Sequence, residues 1–214
     1  MEVPVRMEFI TGIEAFPIHL PNKSFLIYKR AFDLFVSIFL FLFTLPIIFL
    51  VAIFIYIESP GNIIYKQKRV GYQNKEFWIY KLRSMKLDAE KNGARWAIPN
   101  DSRVTKVGKF IRATRIDELP QLFNVIKGDM SLIGPRPERR VFIDEFVKNI
   151  PEFKYRTIVK PGLTGWAQVN GGYDLSVEKK LEEDLHYIRN YSLKLEMLIV
   201  FKTIKVIFTG EGAR

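Results

Sequence analysis

The apolar residues of this chain are unevenly spread, and the densest run sets the first expectation. Leu34 to Ile57 (LFVSIFLFLFTLPIIFLVAIFIYI) holds 24 residues without a charge. As a helix it would extend about 36 Å, enough to cross a hydrocarbon core of about 30 Å. Pro46 stands near its middle, where it removes one helical hydrogen bond, and the Thr44 hydroxyl is placed to serve a carbonyl that the proline frees. Lys23, Lys29 and Arg30 precede the run, and Lys66, Lys68 and Arg69 follow it. Positive flanks mark the cytoplasmic side, so the pattern predicts a re-entrant helix over residues 25–58 in preference to a simple span. Asp33, beside Lys29 and Arg30, has two readings: a solvated acid at a helix end, or an ion pair anchoring the hairpin at headgroup level.

Beyond this run the periodicity changes. Ile63 to Lys81 alternates in the manner of two short strands around a turn at Gly71–Asn74. Lys86 to Asp101 is polar, with Gly93 and Pro99, and predicts a loop. From Phe110 to Ile126 the apolar positions Ile111, Ile116, Leu119, Leu122, Phe123 and Ile126 fall at helical spacing. Pro120 is tolerated in the first turn of a helix, which puts Asp117 and Glu118 at or just before its N-terminus. Val141–Ile150 and Ser176–Asn190 predict two amphipathic helices. Ser192–Phe208 predicts a last one that carries Lys194, Lys202 and Lys205 near one side. That stripe suits a helix on an anionic membrane surface or a core helix with a solvated edge. The expected architecture is α+β: an N-terminal extension (1–24), the re-entrant helix (25–58), and a compact cytoplasmic domain (59–214) of amphipathic helices with a small β element.

Composition narrows the partners. A formal net charge of +10 favours an anionic partner such as phosphate groups, lipid headgroups or nucleic acid, and no groove-reading nucleic-acid motif is present. There are no cysteines, and His19 and His186 stand far apart. Any metal is therefore expected to be a hard cation held by carboxylate and phosphate oxygens. The apolar run begins too late for a secretory signal and has no small-residue cleavage site after it. Trp78, Trp96 and Trp166 are read as packing or interface residues, and Gly162 and Gly165 as backbone turns.

The chemistry concentrates between Phe110 and Glu138. Asp117 and Glu118 are adjacent carboxylates, with Arg112 and Arg115 upstream and Arg136 between prolines downstream. Guanidinium groups match phosphate oxygens bidentately. A carboxylate beside bound phosphate can ligate Mg²⁺ or attack phosphorus. The same residues also fit a helix cap with surface ion pairs.

Asp117-Glu118-Leu119-Pro120-Gln121-Leu122, Lys127-Gly128-Asp129-Met130-Ser131 and Gly134-Pro135-Arg136-Pro137 resemble the signature of the bacterial sugar transferase family, the monotopic phosphoglycosyl transferases. Lys29-Arg30 with Asp33, Gln67, Arg69-Val70-Gly71, Lys81-Leu82-Arg83-Ser84-Met85 and the run from Lys160 to Gly171 match in the same order. The resemblance implies that Asp117 is the nucleophile on the sugar-bearing phosphorus of a UDP-sugar. It would expel UMP and pass the phospho-sugar to polyprenyl phosphate in a ping-pong sequence at the cytoplasmic membrane. It further implies Mg²⁺ at Asp117, and Glu118 assisting metal placement or accepting a proton. Lys81, Arg112 and Arg136 would hold phosphates, with Asp184 matching a further acid of the substrate site. Leu45, Arg115, Gly172 and Glu196 depart from the family's usual residues. The length suggests a minimal enzyme without an additional multi-span N-terminal domain. A UDP-releasing glycosyltransferase and a non-enzymatic basic membrane-binding module are the competing readings. Donor sugar and oligomeric state stay open.

Overall fold

The computed structural model describes residues 21–91, 93 and 101–209. Most of the N-terminal extension, with His19, therefore lies outside the described residues, as do Trp96 and Pro99 of the polar loop.

Helix α1, Lys23–Glu58, opens where Asn22 Oδ1 accepts from Phe25 N at 2.8 Å. It runs unbroken through Pro46. The Thr44 hydroxyl donates to Leu40 O at 2.7 Å, two residues before the Leu42 carbonyl that the proline leaves without its usual donor. It therefore does not relieve the break in the way the spacing suggested. Only 17% of the helix's most apolar stretch is buried, and Phe35, Phe39, Phe43 and Phe49 stand exposed. Among the described residues it is the one helix long and apolar enough to cross a membrane.

Both ends of α1 dock on the same globular part. Near its start, Arg30 donates to Val125 O at 2.6 Å and Ile126 O at 2.8 Å. Asp33 is 3% exposed and accepts from Ser131 Oγ at 2.7 Å and Leu132 N at 3.3 Å. Lys29 lies 3.7 Å from Asp33 and 2.7 Å from Glu196, and Glu196 also accepts from the Tyr187 hydroxyl at 2.8 Å. Asp33 is thus not a solvated helix-end acid; its charge is neutralised inside the protein. Near the other end, Val51 and Ile55 pack with Leu82 and Ile111. There the Glu58 carboxylate accepts from Lys106 N at 2.7 Å and Val107 N at 2.8 Å.

Strands β1 (Ile64–Val70) and β2 (Glu76–Leu82) form the expected antiparallel hairpin, with Tyr65 opposite Lys81. The expected helix over Phe110–Ile126 is divided. Helix α2 (Lys106–Ala113) ends, Arg115 adopts a left-handed φ of 57°, a 3-10 turn covers Ile116–Glu118, and α3 (Gln121–Lys127) starts after Pro120. The helical spacing persists because Ile111 of α2 and Leu122 and Val125 of α3 all face inward. Fully buried Asn124 ties α3 to the outer edge of β2: Nδ2 donates to Trp78 O at 2.6 Å, and Oδ1 accepts from Tyr80 N at 3.2 Å.

Strands β3 (Ser131–Ile133) and β4 (Gly162–Thr164) pair in parallel, which periodicity in such short runs could not reveal. Gly162 and Gly165 serve close backbone approach here rather than turns. A Cβ on Gly162 would lie 2.1 Å from Gly134 N, and one on Gly165 2.1 Å from Gly134 O. Helices α4 (Arg140–Asn149), α5 (Trp166–Val169), α6 (Val177–Arg189) and α7 (Leu193–Thr209) complete the described fold. Ile133, Ile143, Phe153, Leu185, Tyr187, Ile188 and Ile199 are central to the largest core cluster. The lysine stripe of α7 is split. Lys194 and Lys205 are exposed, whereas Lys202 donates to Asn170 Oδ1 at 2.7 Å and sits 4.5 Å from the Trp166 ring. Leu193, Phe201 and Ile204 leave an apolar face open on the same helix.

Truncating Asn124 would strand a buried N–H and a buried carbonyl on β2. Asn124→Ala is expected to lower stability by about 2–4 kcal/mol, read as a fall of the thermal midpoint in detergent.

Candidate active site

Four local features bring the charged residues together. Hairpin pairing presents Lys81 from β2, α2 presents Arg112, the 3-10 turn presents Asp117 and Glu118, and the Gly134–Pro137 loop presents Arg136. The turn forms because Arg115 takes up the left-handed conformation, which a non-glycine residue adopts at some cost in strain. The chain bends there, and both carboxylates are drawn inward.

Glu118 is clamped between two cations. It accepts from Lys81 Nζ at 2.7 Å and from Arg136 Nη1 at 3.2 Å, with a second Arg136 contact through Nη2. Burial works to raise its pKa, but Arg136 and Lys81 win and hold it well below the ordinary glutamate value. Asp117 differs: it is 7% exposed and accepts no hydrogen bond from another described residue. Burial pushes its pKa up to about 6, with the Glu118 charge adding to the rise and Lys81, Arg112 and Arg136 opposing it. Two neighbouring acids therefore have opposite characters. Glu118 is a fixed anion, while Asp117 is a partly desolvated carboxylate with unused lone pairs.

Asp117 opens into a cleft of about 830 Å³, within the range of small-ligand sites. Among the described residues, eleven lysine and arginine side chains line it, against the three acids Glu90, Asp117 and Glu138. Beyond Lys81 the wall continues through Tyr65, Gln67 and Arg139. The Gln67 amide donates to the Tyr65 hydroxyl at 2.7 Å, and Arg139 bonds Glu90 at 2.8 Å. Such a surface suits a polyanion carrying hydrogen-bonding groups.

The residues fit a magnesium ion on restricted terms. Among the described residues no group of three or more histidine, aspartate or glutamate side chains gathers to hold a metal, and Glu118 is engaged by its cations. Asp117 is the available carboxylate, so phosphate oxygens of a ligand would have to complete the shell. Mg²⁺ is commonly held through one or two carboxylates and substrate phosphates.

The structure brings Lys81, Arg112, Asp117, Glu118 and Arg136 together, and it does not bring Asp184 to the cleft wall. Asp184 on α6 is 1% exposed and accepts from Arg156 Nε at 2.6 Å, while Arg156 Nη2 donates to Arg136 O at 2.8 Å. Asp184 thus reaches the site only through Arg156 and the backbone of Arg136. Arg156 and Glu138 escaped the sequence reading. Burial favours a raised pKa for Glu138, but Lys180, Arg156 and Arg69 bring it down to about 2. Their partners lie far away along the chain, and no local motif signals them. Trp166 packs on the His186 ring at 5.5 Å, in keeping with a packing role.

Comparison with known proteins bears on the chain as a whole. The sequence matches the family model described as bacterial sugar transferase over residues 24–210. It is 50% identical over 198 residues to a UDP-N-acetylgalactosamine-undecaprenyl-phosphate N-acetylgalactosaminephosphotransferase of Aeromonas hydrophila, covering 91% of this chain and 47% of the relative. A putative undecaprenyl-phosphate N-acetylgalactosaminyl 1-phosphate transferase of Bacillus subtilis (strain 168) is 52% identical over 153 residues, covering 71% of this chain and 86% of the relative. The UDP-glucose:undecaprenyl-phosphate glucose-1-phosphate transferase of Escherichia coli (strain K12) is 37% identical over 215 residues, covering 97% and 46%. The chain spans about half the length of the Aeromonas and Escherichia relatives.

A raised carboxylate pKa has a cost in stability. Below the ordinary aspartate value of 3.8, folded and unfolded chains both hold the proton, and Asp117 is neutral to folding. As pH rises toward 6 the unfolded chain ionises first, so stability is lost, by at most about 3 kcal/mol. Asp117→Asn removes this loss. It is expected to raise the thermal midpoint by a few degrees at pH 7.5 and to leave it little changed near pH 4, as differential scanning fluorimetry would show.

Proposed function

The chain belongs to the bacterial sugar transferase family, and from that premise we propose that it moves a sugar 1-phosphate from a UDP-sugar to polyprenyl phosphate. The observation that carries the reading is the unlike pair: Asp117, buried, unclamped and raised to about 6, beside Glu118, held by Lys81 and Arg136. An Asp117 oxygen attacks the phosphorus next to the sugar. The bond to the bridging oxygen breaks, and UMP leaves with its electron pair. An oxygen of polyprenyl phosphate then attacks the same phosphorus and expels the Asp117 carboxylate, giving a polyprenyl diphosphate sugar. The acceptor phosphate is already ionised near neutrality, so this second step needs no base. Glu118, with its low pKa, acts by orienting Lys81 and Arg136 toward the phosphates rather than by taking a proton. Arg112 adds charge on the Asp117 side. Asp117 and the donor diphosphate would hold Mg²⁺, which supplies charge neutralisation for the departing UMP.

The donor class follows the relatives. Those named for N-acetylgalactosamine are 50% and 52% identical, and those named for glucose 37–42%. UDP-N-acetylgalactosamine is therefore the first donor to try. The membrane reading rests on α1. Residues between the two docked ends, about 38–50, rise about 20 Å as a helix, less than a hydrocarbon core of about 30 Å. A helix anchored at both ends to one domain supports a re-entrant dip from the cytoplasmic face. A long polyprenyl tail could then stay in lipid while its phosphate reaches the cleft.

Nucleotide release in nanodiscs, with Mg²⁺, undecaprenyl phosphate and a panel of UDP-sugars, tests the reading. UMP should form with wild type, best with UDP-N-acetylgalactosamine, and fall at least a thousandfold in Asp117→Asn. UDP as product would replace the proposal with glycosyl transfer. Because Asp117 must be ionised to attack, kcat/KM should decline as pH drops below about 6.

A further inference from the structure

Where α1 meets the end of α3, two cations converge without a matching anion. Arg30 spends N–H groups on the Val125 and Ile126 carbonyls, and none of its contacts with described residues is to a carboxylate. Lys160, just before β4, makes no hydrogen bond or ion pair among the described residues. Both reach toward one spot: a Cβ on Gly128 would lie 3.4 Å from Arg30 Nη2 and 3.8 Å from Lys160 Nζ. The absent side chain leaves that space open, and all three residues are half-buried rather than sealed. The nearest acids are already engaged. Asp33 holds Ser131, Leu132 and Lys29, and Asp129 pairs with Lys127 at 3.0 Å. Burial lowers the Lys160 pKa and the Arg30 charge lowers it further, against Asp33 and Asp129. Opposed cations of this kind are relieved by an incoming anion. Leu26, Ile27 and Tyr28 stand exposed in the first turns of α1, so the spot lies beside apolar surface. Neither Arg30 nor Lys160 lines the catalytic cleft.

We propose that Arg30 and Lys160, on either side of Gly128, bind the phosphate group of a membrane lipid at headgroup level. A guanidinium fork and a mobile ammonium together match phosphate oxygens, and the lipid's chains would lie along the exposed face of α1. The inference rests on the membrane reading of that helix.

Native mass spectrometry of detergent-solubilised protein, without UDP-sugar, tests it against phosphatidylglycerol, undecaprenyl phosphate, inorganic phosphate and a phosphate-free galactosyl diacylglycerol. Wild type should retain a phosphate-bearing lipid. Lys160→Gln should bind it about tenfold more weakly, Lys160→Arg should keep it, and Arg30→Lys should weaken the same adduct. Lys160-dependent binding of phosphatidylglycerol supports a bilayer lipid as occupant, and of undecaprenyl phosphate alone an acceptor lipid. Equal retention by wild type and Lys160→Gln overturns the site. So does equal binding of the phosphate-free lipid, and inorganic phosphate binding as tightly as the lipids overturns the lipid assignment. Flotation of the wild-type protein with vesicles and its UMP release report separately on the functional reading.

Discussion

The double ion pair of Glu118 with Lys81 and Arg136 is the interaction on which the rest of the site depends. It joins the β hairpin to the Gly134–Pro137 loop through the carboxylate of the 3-10 turn. A buried carboxylate is costly unless it is paired and hydrogen-bonded, and two cations meet that requirement for Glu118. Asp117 next to it is denied the same satisfaction. The protein thereby concentrates the unfavourable part of burying two acids on the one that the proposed reaction uses.

The loop bearing Arg136 is fixed from behind by a second buried network. Arg156 spans from the Asp184 carboxylate to the Arg136 carbonyl, while Glu138 joins Lys180 and Arg69. The guanidinium in the cleft is thus set by backbone anchored in the core, not by its own flexible stem. Preorganisation of this kind lets a charge act on a phosphate without reorganising first. It also explains why an acid matching the family pattern, Asp184, sits away from the cleft wall: its contribution passes through Arg156.

Helix α1 is attached by polar contacts at its beginning, and at its end by apolar contacts together with the Glu58 carboxylate. Lys29 meets Glu196, Arg30 donates to the α3 carbonyls, and Asp33 accepts from the Ser131 hydroxyl and the Leu132 N–H of β3, whereas Val51 and Ile55 join a small apolar cluster. Glu196 spans from Lys29 to the Tyr187 hydroxyl. These attachments bring a very apolar helix onto the same domain that carries the cleft, an arrangement that the proposed transfer between a water-soluble nucleotide-sugar and a lipid phosphate would require.

Much was legible in the sequence because the signals are local. The uncharged run over Leu34–Ile57, the alternation of Ile63–Lys81 and the helical spacing of the later segments each depend on neighbours a few positions apart, and those elements form where the pattern places them. The Asp117–Glu118 pair with its arginines was visible for the same reason. What lies beyond local pattern is whatever depends on long-range partners. The parallel β3–β4 pair rests on three residues a side and on glycines that let Gly134 and Gly162 approach. The division of Phe110–Ile126 turns on the left-handed Arg115. The contrast between Asp117 and Glu118 arises from which carboxylate Lys81 and Arg136, both distant in sequence, come to rest against. By itself the sequence determined the elements, the charge and the candidate acids. Only the tertiary structure decided which acid is clamped and which is left unclamped in the cleft, because burial and ion pairing are properties of neighbours in space.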